Sequence, residues 1–508
     1  MQDAAESATS ALPRRIPRWF IGWLALSAVA GLILVPTRFL PLTDLPQIAA
    51  QLSILVHFDD PNWGFSEQFE LNLATPYLLV HALAIPLVPL FGVVGALRVV
   101  IWLAVIAYPL ALVPVTRVGR LDPLWALLGF PAAFGFAFWF GFVNFMLVTP
   151  LVILFLVALT RYCEEPSRAR WIKLSIAAML LFWAHGLAGA VIGLTTVLMG
   201  LTAFTRWNER VRTGVLLVPA TVALWLWGRR QVGFIQDDHE SIGDWSIGRL
   251  IDVPAHIAGL GRVDSLAIAV GVVVLALPFL GAGRPSRKLY RWMPLVAAAL
   301  LCLALPFKLA GTSFLHQRFA AFLLPGVLLA LDGPPRPSRL PYPAIVVLVS
   351  AVWLAIVAER ILGFDREARS FDQVLAKLEP KRALRPVIIA ADSLHVPGGY
   401  PFIHFGAYYQ AEKGGRLGFS FARNYPAVAR YLPHVDRGMA YDAEWHWERY
   451  SKEEGPLYDY FLFRAPLGVP RELIDGAWGK LRLVADADAF MAFERVGARA
   501  PLAPRRGP

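Results

Sequence analysis

The chain has 508 residues, 57% of them hydrophobic and 17% charged, with a mean hydropathy of +0.53. A water-soluble domain carries about a quarter charged residues, so this composition excludes an ordinary soluble protein and fits apolar blocks that cross a bilayer as helices of about 20 residues. The net charge of +11 does not mark a nucleic-acid binder. The arginines sit in short loops between apolar blocks, where they set membrane topology, and the two cysteines, Cys163 in a basic loop and Cys302 in an apolar run, form no disulfide framework.

In chain order, residues 1–18 are polar and then basic, and read as a cytoplasmic N-terminal segment. The apolar run 19–40 is too long for a signal-peptide core and lacks a small-residue cleavage site, so it reads as an uncleaved first span. Residues 41–95 hold no Lys or Arg, but they hold Asp44, Asp59, Asp60, Glu67 and Glu70. Thr43 or Asp44 can cap a helix there, with Pro46 in its first turn. Ile48, Leu52, Leu55 and Val56 then share one face at helical spacing, which predicts an amphipathic helix lying on the outer membrane surface. Asp59 and Asp60 read as a solvated turn before Pro61.

Eleven further apolar blocks follow: 76–92, 96–116, 124–140, 146–160, 174–184, 187–204, 213–228, 263–281, 293–305, 319–331 and 343–361. If every block crosses, the basic loops alternate between the two sides, against the positive-inside rule. The stretch 76–92 carries Pro76, His81, Pro86 and Pro89. If it lies along or dips into the outer interface instead, eighteen Lys and Arg of the short loops fall inside and six outside. The expectation is therefore eleven spans within 19–361, with 41–95 as an extracytoplasmic loop carrying interfacial helices.

Two tight breaks are candidates to line a cavity, since irregular backbone at membrane depth needs protein or water around it. One is 141–145, with Asn144; the other is Ala184-His185-Gly186. His185 is either a hydrogen-bonded structural histidine or a functional group. The loop 229–262 contains Asp237 and Asp238 beside His239 and Glu240, a hydrated surface loop or a set of divalent-metal ligands. The loop 306–318 brings Lys308, His316 and Arg318 to the outer ends of two spans, suited either to phosphate or to snorkelling toward headgroups.

From about residue 362 the composition turns soluble. Residues 370–378 and 402–413 read as helices, the second stopped by Gly414-Gly415. Residues 386–391 and 458–464 read as strands, and 480–484 with 489–496 as a closing hairpin. This predicts a small α/β extracytoplasmic domain over 362–497, then a disordered tail, 498–508. Trp445, His446, Trp447, Glu448 and Tyr450 suit either stacking on sugar rings or contact with headgroups. No nucleophile triad, phosphate loop or zinc spacing is present.

This order of features resembles the GT-C superfamily of membrane glycosyltransferases. Asp44, in Thr43-Asp44-Leu45-Pro46 after the first span, stands where the family carries its catalytic acidic residue. The helix after it, the proline-containing segment 76–92, the short paired helices and the soluble C-terminal domain follow the family order, and Gly141-Phe142-Val143-Asn144-Phe145 is similar to a Gly-Phe-x-Asn-Phe stretch of bacterial members. The resemblance implies a mainly α, polytopic fold in a bacterial inner membrane. It implies a polyprenyl-phosphate-linked sugar donor drawn from the membrane lipids, and a glycan, lipid or protein acceptor in the cell envelope. Asp44 is then the general base, Arg318 the preferred phosphate ligand, and His316, Lys308, His185 and Asn144 further substrate-binding candidates. Asp59, Asp60, Asp237 and Asp238 are the available acidic partners. Metal-dependent members place carboxylates in the second outer loop, where this chain has Asn144. No cofactor is certain, and a divalent metal stays open but is not favoured. A transporter or flippase for an envelope precursor, and a non-catalytic assembly protein on the same scaffold, stay open as alternatives. The discriminating question is whether Asp44, Asn144, His185 and Arg318 converge on one cavity.

Overall fold

A computed structural model describes residues 16–229, 242–243, 246–309, 312–333, 341–424, 426–436, 441–449, 452–470 and 480–497. The tail 498–508, most of the N-terminal segment 1–18, and Asp237 and Asp238 lie outside these residues.

The molecule is mainly helical with a small mixed sheet near its C-terminal end. Among the described residues, four helical stretches are long and apolar enough to cross a bilayer: Leu79–Val118, Pro123–Phe140, Val143–Glu164 and Tyr342–Lys377. The pair Trp207–Val215 and Val218–Arg229, bent by 40°, makes a fifth if it counts as one span. Several other expected spans are apolar helices of 10–17 residues, among them Arg18–Leu34, Ala188–Ala203 and Ser265–Gly281. Length and composition alone therefore do not reproduce the count of eleven.

The proline-rich stretch is helical but broken. Leu79–Ala84 and a single 3-10 turn, Ile85–Leu87, lead into Val88–Val118, and Gly92 interrupts that run with a φ of 67°. Only glycine takes that backbone cheaply. The loop around residues 229–262 holds structure that its composition did not announce: Arg249–Ala258 is a helix packed along Ser265–Gly281. Its Arg249 is buried and donates to the carbonyls of Leu303 and Leu305 at 3.2 and 2.7 Å, so this arginine belongs to a helix interface rather than to a loop.

The C-terminal part contains a five-stranded sheet in the order Arg416–Leu417, Ala383–Ile388, Tyr460–Arg464, Phe490–Val496, Lys480–Ala487. The first three strands run parallel, and the closing hairpin is antiparallel. Helix Ser370–Lys377 forms as the sequence suggests. The second expected helix is shorter, Ala407–Lys413, and turns occupy 401–406.

The main departure concerns the outer loop. Helix Leu45–Val56 does not lie on a lipid surface with one polar face outward; Gln47, Gln51 and Ser53 are as buried as Leu45 and Leu52. The C-terminal part folds over it, with helix Ala407–Lys413 packed alongside. Its two glutamines are used as backbone partners: Gln47 accepts from Phe421 N at 3.0 Å and Gln51 from Ala429 N at 2.8 Å. The loop strand Phe69–Leu71 pairs antiparallel with Ala429–Tyr431. The amphipathic pattern is real, but the polar face is covered by protein.

Helix Tyr342–Ala368 carries this assembly. Asp365 accepts from Phe39 N at 2.8 Å, and Arg38 bonds Asp372 and Glu412. Deeper in the same helix, Arg360 makes a two-pronged bond to Asp264, at 2.5 and 3.0 Å, with both side chains under 10% exposed. Asp264 also caps helix Ser265–Gly281 through Ala267 N. Removing one partner of a buried pair strands the other charge, at about 3–5 kcal/mol. Arg360→Met is expected to lower the unfolding temperature in detergent sharply. The double variant Arg360→Met, Asp264→Leu should recover part of that loss, remaining below wild type by a capping term of about 1 kcal/mol. Equal melting of the single variant and wild type would show that the pair does not carry the joint.

Candidate active site

Asp44 occupies the N-cap position of helix Leu45–Val56, yet its side chain makes no capping bond. The backbone explains where it goes instead. Asp44 N donates to Phe140 O at 3.0 Å, which lays the loop against the break after helix Phe136–Phe140. Gly141, with φ 87°, turns the chain there. A Cβ on it would meet Asp44 N at 2.8 Å and Leu45 N at 3.2 Å, so only glycine admits this approach. Released from capping, the carboxylate faces a cavity of about 530 Å³.

Membrane helices line one side of this cavity and the C-terminal part lines the other. Asp44, Asn144, His185, Lys308 and Arg318 all stand on its wall. His316 does not; it is buried with its ring 6.3 Å from that of His256. Asp59 and Asp60 also lie elsewhere, on the turn after helix Leu45–Val56, where Asp60 accepts from Asn62 N at 2.8 Å.

Arg318 is the cation best placed by its surroundings. Its guanidinium lies over the Phe142 ring at 3.5 Å from the centroid. Nε and Nη2 donate to the carbonyls of Phe314 and Ser313 at 3.2 and 3.0 Å. Phe314 holds a left-handed φ of 55° to present that carbonyl, a strained backbone of the kind that gathers at functional sites.

Asn144 has a structural task. Its Oδ1 accepts from Val80 N at 3.0 Å and its Nδ2 donates to Ala184 O at 2.7 Å. It thereby ties the proline-containing segment to the helix break at His185. A carboxylate could accept the first bond but not donate the second, which accounts physically for an amide here. At that break, His185 Nδ1 accepts from Leu187 N at 3.2 Å. Its Nε2 then carries the proton, beside Tyr77 and Phe145.

The C-terminal part adds a residue that sequence reasoning missed. His404 is 2% exposed. Its Nε2 lies 3.5 Å from Asp44 Oδ1, and its Nδ1 lies 2.8 Å from Glu444 Oε2. The second contact is the closer of the two, a charge pair buried on both sides. Burial opposes charge on the imidazole, but the two carboxylates outweigh it and push His404 up to about 9. Burial pushes Asp44 above the ordinary aspartate range, while His404 and Arg318 pull it partly back. Glu444 is likewise raised by burial and partly restored by His404. Phe419 stacks on His404 at 5.5 Å, with Phe421 and Trp445 edge-on. Trp445 and His446, noted in the sequence for their aromatic and polar mixture, reach the cavity wall. A single histidine in an apolar stretch carried no signal that would join it to Asp44; only the fold over helix Leu45–Val56 brings them together. Among the described residues, no group of three or more His, Cys, Asp or Glu side chains is arranged to hold a metal ion.

No family model matches the sequence, and no curated protein matches it. Solved structures do match in shape. ArnT from Cupriavidus metallidurans bound to undecaprenyl phosphate superposes with a TM-score of 0.51 at 16% identity, covering 96% of this chain and 99% of that one. The same protein in its apo state gives 0.52 at 15%, with the same coverage. Arabinofuranosyltransferase AftD from Mycobacteria gives 0.48 at 15%, covering 97% of this chain and 40% of that one. At this identity the likeness to ArnT is one of fold alone: over nearly its whole length, this mainly helical chain with several long apolar helices shares the fold of that protein.

Proposed function

We propose that the chain is a membrane glycosyltransferase that moves a sugar from a polyprenyl-phosphate donor to a cell-envelope acceptor, with Asp44 as general base. The observation that carries this reading is the convergence of Asp44 with Arg318, Lys308 and His185 on one cavity. A fold shared with ArnT, one of whose structures holds undecaprenyl phosphate, supports it. In this reading the N-terminus is cytoplasmic, and the cavity faces the extracytoplasmic side of an inner membrane.

The chemistry follows from the groups present. Asp44 takes the proton of an acceptor hydroxyl as its oxygen bonds to the sugar's anomeric carbon. The bond from that carbon to the phosphate oxygen breaks, and the leaving phosphate gains a negative charge. Arg318 and Lys308 meet that charge, and guanidinium suits it through its forked donors. The partly apolar setting keeps Asp44 more basic than a solvated aspartate. Glu444 takes the shorter contact to His404, which steadies the imidazolium and leaves Asp44 only a long one. The C-terminal part is thus a component of the site.

With purified protein, a panel of polyprenyl-phosphate sugars and radiolabelled transfer as the readout, Asp44→Asn is expected to lower turnover by roughly 10²–10⁴-fold. Arg318→Gln should lower kcat/KM by about 10–100-fold, the worth of a charge-assisted phosphate contact. Undiminished transfer by Asp44→Asn removes the mechanism.

The His404 cluster has a pH signature. Its folded pKa is raised from 6.5 to about 9, so its contribution to stability is complete below 6.5 and fades as pH rises through 9. Melting temperature of the wild type should fall across that window, and His404→Gln should show no such fall. The imidazolium also holds the Asp44 pKa down, so the acid limb of kcat/KM moves to higher pH in His404→Gln. A limb that stays in place shows that His404 does not act on Asp44.

A further inference from the structure

A second cavity, of about 610 Å³, opens between helices Val88–Val118, Val143–Glu164 and Arg168–Ala184. It lies toward the other end of the same helices that hold Asn144 and His185. Asn144 and Arg161 are separated by about 25 Å of helix at 1.5 Å per residue, so its basic end is far from the Asp44 cavity. Along helix Val143–Glu164 its wall reads Leu151, Leu154, Ala158, Arg161; along the neighbouring helix it reads Leu180, Ala177, Lys173, Arg170. The two helices run in opposite directions, so both stripes pass from apolar to basic at the same end. Leu151, Leu154, Ala158 and Leu180 are exposed. From Leu151 to Arg161 the groove runs about 15 Å, close to half the ~30 Å hydrocarbon core, the depth of one leaflet.

The charge at the basic end is not cancelled. Arg170 bonds Glu165 through Nη2 at 2.7 Å, and Glu164 is held by Lys288 at 3.2 Å. Arg161 and Lys173 have no ion-pair partner among the described residues. Arg161, Arg170 and Lys173 against Glu165 leave two positive charges facing one leaflet's headgroup level. An apolar channel of one-leaflet depth ending in excess positive charge has the shape of a lipid with a negative headgroup.

We propose that this groove binds one anionic phospholipid, its acyl chain lying between the two stripes and its phosphate between Arg161, Lys173 and Arg170. The separation from the Arg318 cavity assigns it to a structural lipid rather than to the sugar carrier. The test uses the full-length protein, delipidated in neutral detergent and titrated with phosphatidylglycerol, phosphatidylcholine or a polyprenyl phosphate, with bound lipid counted by native mass spectrometry. Wild type should retain phosphatidylglycerol over phosphatidylcholine. Arg161→Ala with Lys173→Ala should weaken phosphatidylglycerol binding by roughly thirty-fold, the effect of removing two interfacial basic groups. Ala177→Phe, which fills the groove without changing its charge, should also weaken it. Arg161→Lys should keep it, and that variant guards against a double variant that fails to fold. Equal retention of the two phospholipids, a preference for polyprenyl phosphate, or unchanged binding in Ala177→Phe overturns the assignment.

Discussion

The close approach of two backbones, Asp44 on Gly141, governs the rest of the site. Without a side chain at 141, the loop after the first helix can lie in bonding distance of the carbonyl of Phe140. That single contact fixes three things. It takes Asp44 out of helix capping, so its carboxylate is free for the cavity. It places Phe142 under the guanidinium of Arg318, whose charge acts on Asp44. It also starts helix Leu45–Val56 in the orientation on which the C-terminal part is built. A methyl group at 141 would have to push the loop away by several tenths of an ångström, and all three placements would move together.

The C-terminal part is coupled to the membrane helices by buried polar groups set into a shared aromatic core, in which Phe39 packs on Phe405 and Tyr408 and Phe364 on Phe402. Gln47 and Gln51 each give a side-chain oxygen to a backbone N–H of that part. Asp365 and Arg38 bridge from the long helix to the loop and back. Buried amides and carboxylates cost more when misaligned than apolar contacts do, so this joint has one favoured register. Such specificity matters if His404 must reach Asp44 at 3.5 Å: a sliding interface would spread that distance over several ångströms.

How much of this was legible in the sequence depends on whether the signal was local. Apolar blocks, the lysine-free outer loop and the soluble C-terminal strands are local patterns, and the helical fold with its small sheet follows from them. Asp44, Asn144, His185, Lys308 and Arg318 were legible from their places at a helix start, a tight break or the end of a span, with the family resemblance singling out Asp44 and Arg318, and all five line one cavity. His316 met the same criterion but turns toward His256, since neighbours two residues apart on a helical turn face different ways. The burial of helix Leu45–Val56 was illegible for a different reason: an amphipathic stripe records which face is apolar, not what covers the polar one. His404 and Glu444 depended on that covering, so they were out of reach as well.

The amide at 144 bears on the chemistry of the whole site. An amide can tie two backbones by accepting from one and donating to the other, and Asn144 does both. A carboxylate in its place would lose the bond to Ala184 and add a negative charge beside a cavity whose wall already holds Asp44. Stability of the helix break and charge balance in the cavity therefore favour the same residue. Under the proposed function, Arg318 over Phe142 is the cation that meets the phosphate and Asp44, beside His404, is the carboxylate that takes the proton, and an amide at 144 adds no second carboxylate to compete with either.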